Sequence, residues 1–313
     1  MSSTNPTVNT DPYGLWMAKP TKAGGQIWFI YNTDFNNDPQ VITESVSSEY
    51  LVHNVEDADG TRFTISASDT FKAYISTSTG YNASQNITDQ QEMSRRGYMQ
   101  NTQDWRNVEI TGQFVVFKEP TADDFITIGV RTGKHTGNGS PTGCTGCAYL
   151  FEVNMKKGGL VRVRKESWNV SIHNWLSALA SGFDATKVCG WSFKVLCYNS
   201  QDSNSVNVEM WIASDNDNRF VKVLSGVDTG QLNTDATVCN CTNAGQPITW
   251  GGPLIMLQGN TGTFGFKNLS IREVEGFGAT LPPVDPGTGG TGGGTGGGGG
   301  TGGGTGTGGG GTG

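Results

Sequence analysis

Long apolar runs are missing from this chain of 313 residues. No stretch approaches the roughly 18 consecutive apolar residues of a membrane-crossing helix, so no membrane insertion is expected. Basic runs are missing too. The 21 lysines and arginines are dispersed among 28 acidic residues, and a net charge of −7 repels a phosphate backbone, so nucleic acid is not an expected partner. Helical periodicity is scarce, Ile172 to Ser181 being the best stretch of it. There is neither a serine nucleophile elbow nor a phosphate-cradling glycine loop. Met1 to Asp11 is polar and has no apolar signal core, so export of the chain as written is not supported.

Cysteine is sparse and falls in three local pairs: Cys144 with Cys147, Cys189 with Cys197, and Cys239 with Cys241. An even count among many Asn, Thr and Gly residues predicts an oxidising exterior and disulfides. Zinc held by Cys144, Cys147, Cys239 and Cys241 is the competing reading, and the spacing does not choose a connectivity. An exterior location without a signal core implies either a trimmed chain or a protein released in a virion. The expected location is therefore extracellular or on a virion surface.

What the chain has in quantity is period-two alternation between about residues 95 and 275, the signature of strands with one buried face. In Leu160 to Trp168, Val161 and Val163 alternate with Arg162, Arg164, Glu166 and Trp168. In Trp191 to Asn199, Trp191, Phe193, Val195 and Cys197 alternate with a row that includes Lys194 and Tyr198. Asn107 to Phe117 sets Glu109, Thr111 and Gln113 against Ile110, Phe114 and Val116, and Val206 to Ala213 sets Asn207, Glu209 and Trp211 against Val208. Arg and Trp recurring in the second row predict a sheet face that holds something polar and flat.

The organisation follows from composition. Residues 1–25, with Pro6, Pro12 and Pro20, read as an irregular N-terminal arm, and 26–276 as an all-β, two-sheet antiparallel sandwich of jelly-roll type. Asp-Gly at 59–60 marks a hairpin, while Lys156 to Gly159 and Asp215 to Asn218 mark tight turns. Residues 277–286 read as a linker. From 287 to 313 only Gly and Thr occur, and such a tail buries no apolar surface to offset the entropy of ordering it.

Gly252 to Val274, with Phe264, Phe266, Asn268 and Arg272, resembles the closing strands of concanavalin-like and laminin-G-like sandwiches, which implies that fold. Phe193 to Gln201 (FKVLCYNSQ) is similar to the strand of alginate-lyase-type jelly rolls that carries Lys, Tyr, Asn and Gln. Met93 to Tyr98 and Phe125 to His135 stand in the places of that family's Arg-bearing and Gln-x-His strands. No Glu-Leu follows Arg95, and Val130 and Thr132 fill the Gln-x-His positions. The resemblance implies β-elimination on a polyuronate: Arg95 or Arg131 neutralising the carboxylate, His135 or Tyr198 as base, and Tyr198 as acid. Retaining hydrolysis ranks lower, because no Glu-x-Asp-x-x-Glu strand is present and Glu109 and Glu209 are lone acids.

Noncatalytic binding of a polysaccharide or other glycan asks only for aromatic rings, amides and cations on a shallow face. Arg162, Arg164, Trp168, Lys194, Tyr198, Asn199, Gln201 and Trp211 are the residues expected to supply it, with Trp250 at the rim. No cofactor or metal is expected. Calcium in the 215–218 turn is the exception to consider, although Arg219 breaks the loop pattern. The alternative from another class is a structural subunit of a virion fibre or extracellular filament, self-associating through the arm and the tail.

Overall fold

The computed structural model describes residues 10–31, 41–45, 50–54, 62–67, 71–76, 104–118, 125–133, 147–154, 160–167, 171–179, 191–213, 219–230, 245–259 and 262–276. Among these, all regular structure is β. In chain order the strands are β1 (Ile27–Phe29), β2 (Val41–Ser45), β3 (Tyr50–Asn54), β4 (Arg62–Ala67), β5 (Phe71–Ser76), β6 (Val108–Lys118), β7 (Phe125–Thr132) and β8 (Cys147–Asn154). They continue with β9 (Leu160–Ser167), β10 (Ser171–Leu179), β11 (Trp191–Asn199), β12 (Val206–Ala213), β13 (Val221–Asp228), β14 (Leu254–Gly259) and β15 (Gly262–Glu273).

Two antiparallel sheets result. One has eight strands in the order β13-β12-β11-β6-β15-β4-β3, with β1 also paired to β15; the other has seven, in the order β10-β9-β8-β7-β14-β5-β2. Neighbours such as β6 and β11 are far apart in sequence, the crossover pattern of a jelly roll. The expected all-β, two-sheet antiparallel sandwich of jelly-roll type is what the chain forms. Several expected strands recur with small shifts in their ends, and β3 pairs with β4 antiparallel on either side of the Asp-Gly hairpin signal. The calcium-type turn at 215–218 lies outside the described residues, as do the linker and tail.

The stretch nearest to helical spacing bears out the all-β reading. Ile172 to Ser181, the best helical stretch, is mostly strand β10, paired along β9 with a bulge at Trp175. The extra residue lets Trp175, Leu176 and Ala178 all reach the main core, so the apolar spacing that suggests a helix is the spacing of a bulged strand.

The core lies between the sheets. Trp191, Phe193, Val195 and Cys197 of β11 face it as the alternation predicts, meeting Val161 and Val163 of β9 and Phe151 of β8. Burying each large apolar side chain contributes about 1.5–3 kcal/mol, and this inner layer dominates the fold. Cys147 and Cys197 sit within it as thiols, which departs from a disulfide framework at both positions. Burial pushes the Cys197 thiol up to about 11.

The arm is irregular from residue 10 to 25, with isolated bridges Thr10 to Trp16 and Thr21 to Val274. Asp11 starts a turn by accepting from the backbone N–H of Tyr13 and Leu15, each at 2.9 Å. The chain then runs over the outer face of the eight-stranded sheet. Trp16 packs there on Trp211 and Phe220, with centroids at 5.2 and 5.8 Å, in a second apolar layer that includes Leu196 and Tyr198.

Candidate functional site

The residues expected to converge on one wall are divided between the two sheets. Arg162 and Arg164 project from the outer face of the seven-stranded sheet, whereas Lys194, Tyr198 and Trp211 belong to the outer face of the eight-stranded one. Gln201 is exposed in the turn beyond β11. Arg95, His135 and Trp168 lie outside the described residues. The single convergent wall is therefore corrected to two separate faces.

On the eight-stranded sheet the polar row is covered by the arm. Lys194 and Glu109 are completely buried and pair at 2.6 Å, and an Arg272 guanidinium nitrogen lies 2.7 Å from the same carboxylate oxygen. Glu109 also accepts from the backbone N–H of Ala18 at 3.2 Å and of Lys19 at 3.0 Å, so one carboxylate holds two cations and fastens the arm. Burial alone would raise the Glu109 carboxyl; Lys194 and Arg272 overcome it and hold the group below its ordinary value. Burial lowers the Lys194 ammonium, against the pull of Glu109. Lys194 is thus a fastening of the arm and not a substrate contact.

Tyr198 lies under the same cover. Its hydroxyl donates to Glu209 at 2.7 Å, and the Lys19 ammonium sits 4.1 Å from its ring centroid. Burial, and then Glu209, push the phenol well above its usual range, so it stays protonated at any ordinary pH and is no proton acceptor. Trp211 donates its indole N–H to Glu209 at 2.9 Å and rests edge-on against Trp16, so it too is engaged within the fold.

Arg131 and Asn199 belong to a third place, the space between the sheets at one end of the sandwich. Arg131 has φ 58 and stands at a bulge where β7 passes β14. The bulge turns its guanidinium inward, where it donates to the Ile248 carbonyl at 2.5 Å and to Asn107 Oδ1 at 3.4 Å. Asn199 donates its side-chain N–H to the Thr249 carbonyl at 2.9 Å. Lys165 completes the group. Its ammonium meets Asp228 at 2.6 Å and the carbonyls of Gly245 and Gln246 at 3.0 and 2.6 Å, while Tyr149 donates to Asp228 at 2.6 Å. These side chains pin the 245–250 segment across the sandwich end. Arg131 and Tyr198 consequently occupy different compartments, one interior and one under the arm, and form no acid–base pair. Trp250, expected at the rim, is partly buried against the core.

On the outer face of the seven-stranded sheet several described polar side chains still reach water. The strand registers align Ser177, Arg162, Glu152, Thr127, Gln258 and Lys72 in one transverse row over β10, β9, β8, β7, β14 and β5. At an inter-strand spacing of about 4.8 Å this row spans roughly 24 Å. Its anchor is Glu152, 1% exposed, which accepts from Arg162, Arg164 and Thr127; the two arginines are 24% and 23% exposed. The Arg162 guanidinium lies 3.5 Å from the Phe125 ring centroid. Gln258 and Lys72 are half-buried and Ser177 is exposed. Beside the row, Tyr74, Ala148, Leu150, Leu254 and Met256 form a buried apolar band. Of the described residues singled out in the sequence, Arg162 and Arg164 belong to this site. Glu152, Gln258 and Lys72 were missed; the near-continuous apolar run of β8 ending in a glutamate was the available signal.

No family model matches the sequence, and no curated protein does. Solved structures resemble it in fold. The carbohydrate-binding module CBM66 from Bacillus subtilis is 10% identical, covering 71% of this chain and 94% of its own, with a TM-score of 0.38. The potassium-bound Emp46p carbohydrate recognition domain is 10% identical, covering 77% and 92%, at 0.43. A Bauhinia forficata lectin in complex with GalNAc is 13% identical, covering 79% and 97%, at 0.34. The likeness concerns the sandwich and extends to no site.

Proposed function

We propose that this chain is a carbohydrate-binding β-sandwich domain that holds a polysaccharide along the transverse row of its seven-stranded sheet. The observation that carries the reading is the row itself. Quarter-exposed Arg162 and half-buried Lys72 stand in one line with the exposed Ser177 hydroxyl and the half-buried Gln258 amide, over a length suited to an oligosaccharide. Glu152 fixes the arginine forks in place, so little side-chain entropy is lost when a glycan docks. Guanidinium and ammonium groups favour a glycan bearing carboxylates, and the Ser177 hydroxyl and Gln258 amide serve its hydroxyls. An extracellular or virion-surface location goes with this reading, because polysaccharides are met there.

Catalysis is not part of the proposal, since Arg131 and Tyr198 are held apart. Incubation with alginate, glucuronan and neutral glycans, following both retention and the absorbance of unsaturated ends, tests it. Retention of a polyuronate without a rise in absorbance supports a binding domain, and loss of retention in Arg162→Ala places it at the row. A rise in absorbance would replace the reading with lyase chemistry, and absence of retention on every glycan would overturn it in favour of a scaffold.

A further inference from the structure

On the opposite side of the sandwich, where the arm first meets the eight-stranded sheet, the cover is incomplete. A cavity of about 210 Å³ opens between the arm and the sheet, lined by Tyr13, Leu15, Gln113, Ser192, Lys267 and Asn268 with the backbone of Gly14. Its floor is another transverse row, Ser192 opposite Gln113 and Gln113 opposite Lys267. Asn268 joins that row through a backbone irregularity. The register of β15 slips between Lys267 and Ser270, and Asn268 takes φ 54. Two successive residues of β15 thereby serve the same outer face, as an undistorted strand would not allow. Asparagine is among the few side chains that accept this conformation readily.

The polar groups are pre-set. Asn268 donates to Gln113 Oε1 at 3.3 Å, and Gln113 donates to Ser192 Oγ at 3.3 Å, so both amides are oriented by the chain itself. Each primary amide has two N–H donors and a carbonyl acceptor. After these bonds the Asn268 carbonyl oxygen, one N–H of each amide and the Ser192 hydroxyl proton still have bonding capacity. Donors and acceptors stand side by side, an arrangement that suits vicinal hydroxyls. The Tyr13 ring forms one wall and is braced edge-on by Phe29 at 5.0 Å and 88°. The turn carrying it is fixed by Asp11, whose carbonyl accepts from Gly14 at 2.9 Å. The volume falls below the roughly 300–1,000 Å³ of pockets for drug-sized ligands, so it fits one small ring and not a chain.

We propose that this cleft is a second binding site, taking a single neutral sugar residue whose adjacent hydroxyls bridge Gln113, Ser192 and Asn268 beside the Tyr13 ring. It is on the other sheet from the polysaccharide row and shares no residue with it, so either site can fail alone. The domain would then engage a glycan chain on one face and a sugar terminus or branch on the other.

The test is a two-dimensional amide NMR titration of the full chain with methyl α-mannoside, methyl β-galactoside, methyl β-glucoside and N-acetylglucosamine, with methyl glucuronide as the acidic comparator. A neutral glycoside is expected to shift the side-chain amides of Gln113 and Asn268 and the backbone signals of 13–15. Asn268→Gly keeps the backbone conformation while removing the amide, and is expected to weaken binding at least tenfold with the rest of the spectrum unchanged. Gln113→Ala should do the same, and Arg162→Ala should leave the titration as it was. No shift with any neutral sugar, a response to the glucuronide alone, or unchanged affinity in Asn268→Gly would overturn the proposal. Polysaccharide retention measured on the same variants reports separately on the row.

Discussion

The two outer faces of this sandwich carry similar chemistry and lead opposite lives. Each has a carboxylate flanked by two cations: Glu109 between Lys194 and Arg272 on one, Glu152 between Arg162 and Arg164 on the other. The first cluster is sealed beneath the chain's own N-terminal segment, its acid engaged by backbone N–H groups of that segment. The second keeps its arginines about a quarter exposed. The same three charges therefore act as a fastening where they are covered and leave their cations within reach of water where they are open. What distinguishes them is not residue type but whether a neighbouring segment arrives on top.

Substitutions that remove each acid should expose this contrast most sharply. Glu109→Ala leaves two cations buried without their anion and frees the arm, and is expected to cost about 3–5 kcal/mol in denaturant unfolding, with new protease cleavage between residues 10 and 25. A loss below 1 kcal/mol would mean the cluster is not sealed. Acid should act on the same point. Because the folded-state value of Glu109 is below the ordinary 4.5, its stabilisation is complete above that pH and disappears as pH falls through the lower folded value. Unfolding free energies measured from pH 6 to 2 should show this loss, and Glu109→Gln should flatten it. Glu152→Ala is expected to cost less, about 1–2 kcal/mol, because its arginines can turn to water; its main effect should be weakened polysaccharide retention. Smallest in stability is Arg162→Ala, within about 1 kcal/mol of the parent, and equal retention by parent and variant would break the assignment of function to the open face.

How much of this was legible in the sequence depends on the link considered. Alternation gave the strands and their inner rows, because burial of one face imposes a period of two; Phe193, Val195 and Cys197 point where their spacing says. The outer row is a weaker message. Lys194 and Arg162 each alternate with apolar neighbours, and nothing local says that one is covered by residues about 175 positions earlier in the chain. Lys165 is the exception that could have been read. It follows Val161 and Val163 on the apolar row, and a charge on that row must find a buried partner, here Asp228. Arg131 could not have been placed, since a bulge reverses the side that simple parity assigns. The row Ser177 to Lys72 depends on register between strands distant in sequence, which composition and periodicity do not encode.

The arm's attachments carry a consequence for the order of assembly. Glu109 grips it from β6, Lys194 supports that grip from β11, and Arg272, Glu273 and Gly276 hold it from the last strand and just beyond. A ribosome makes residues 10–25 well before residues 272–276, which complete their seat. The arm can therefore dock only after the strands that follow it have formed, and Trp16 meets its partners Trp211 and Phe220 only when a stretch about two hundred residues further along is in place.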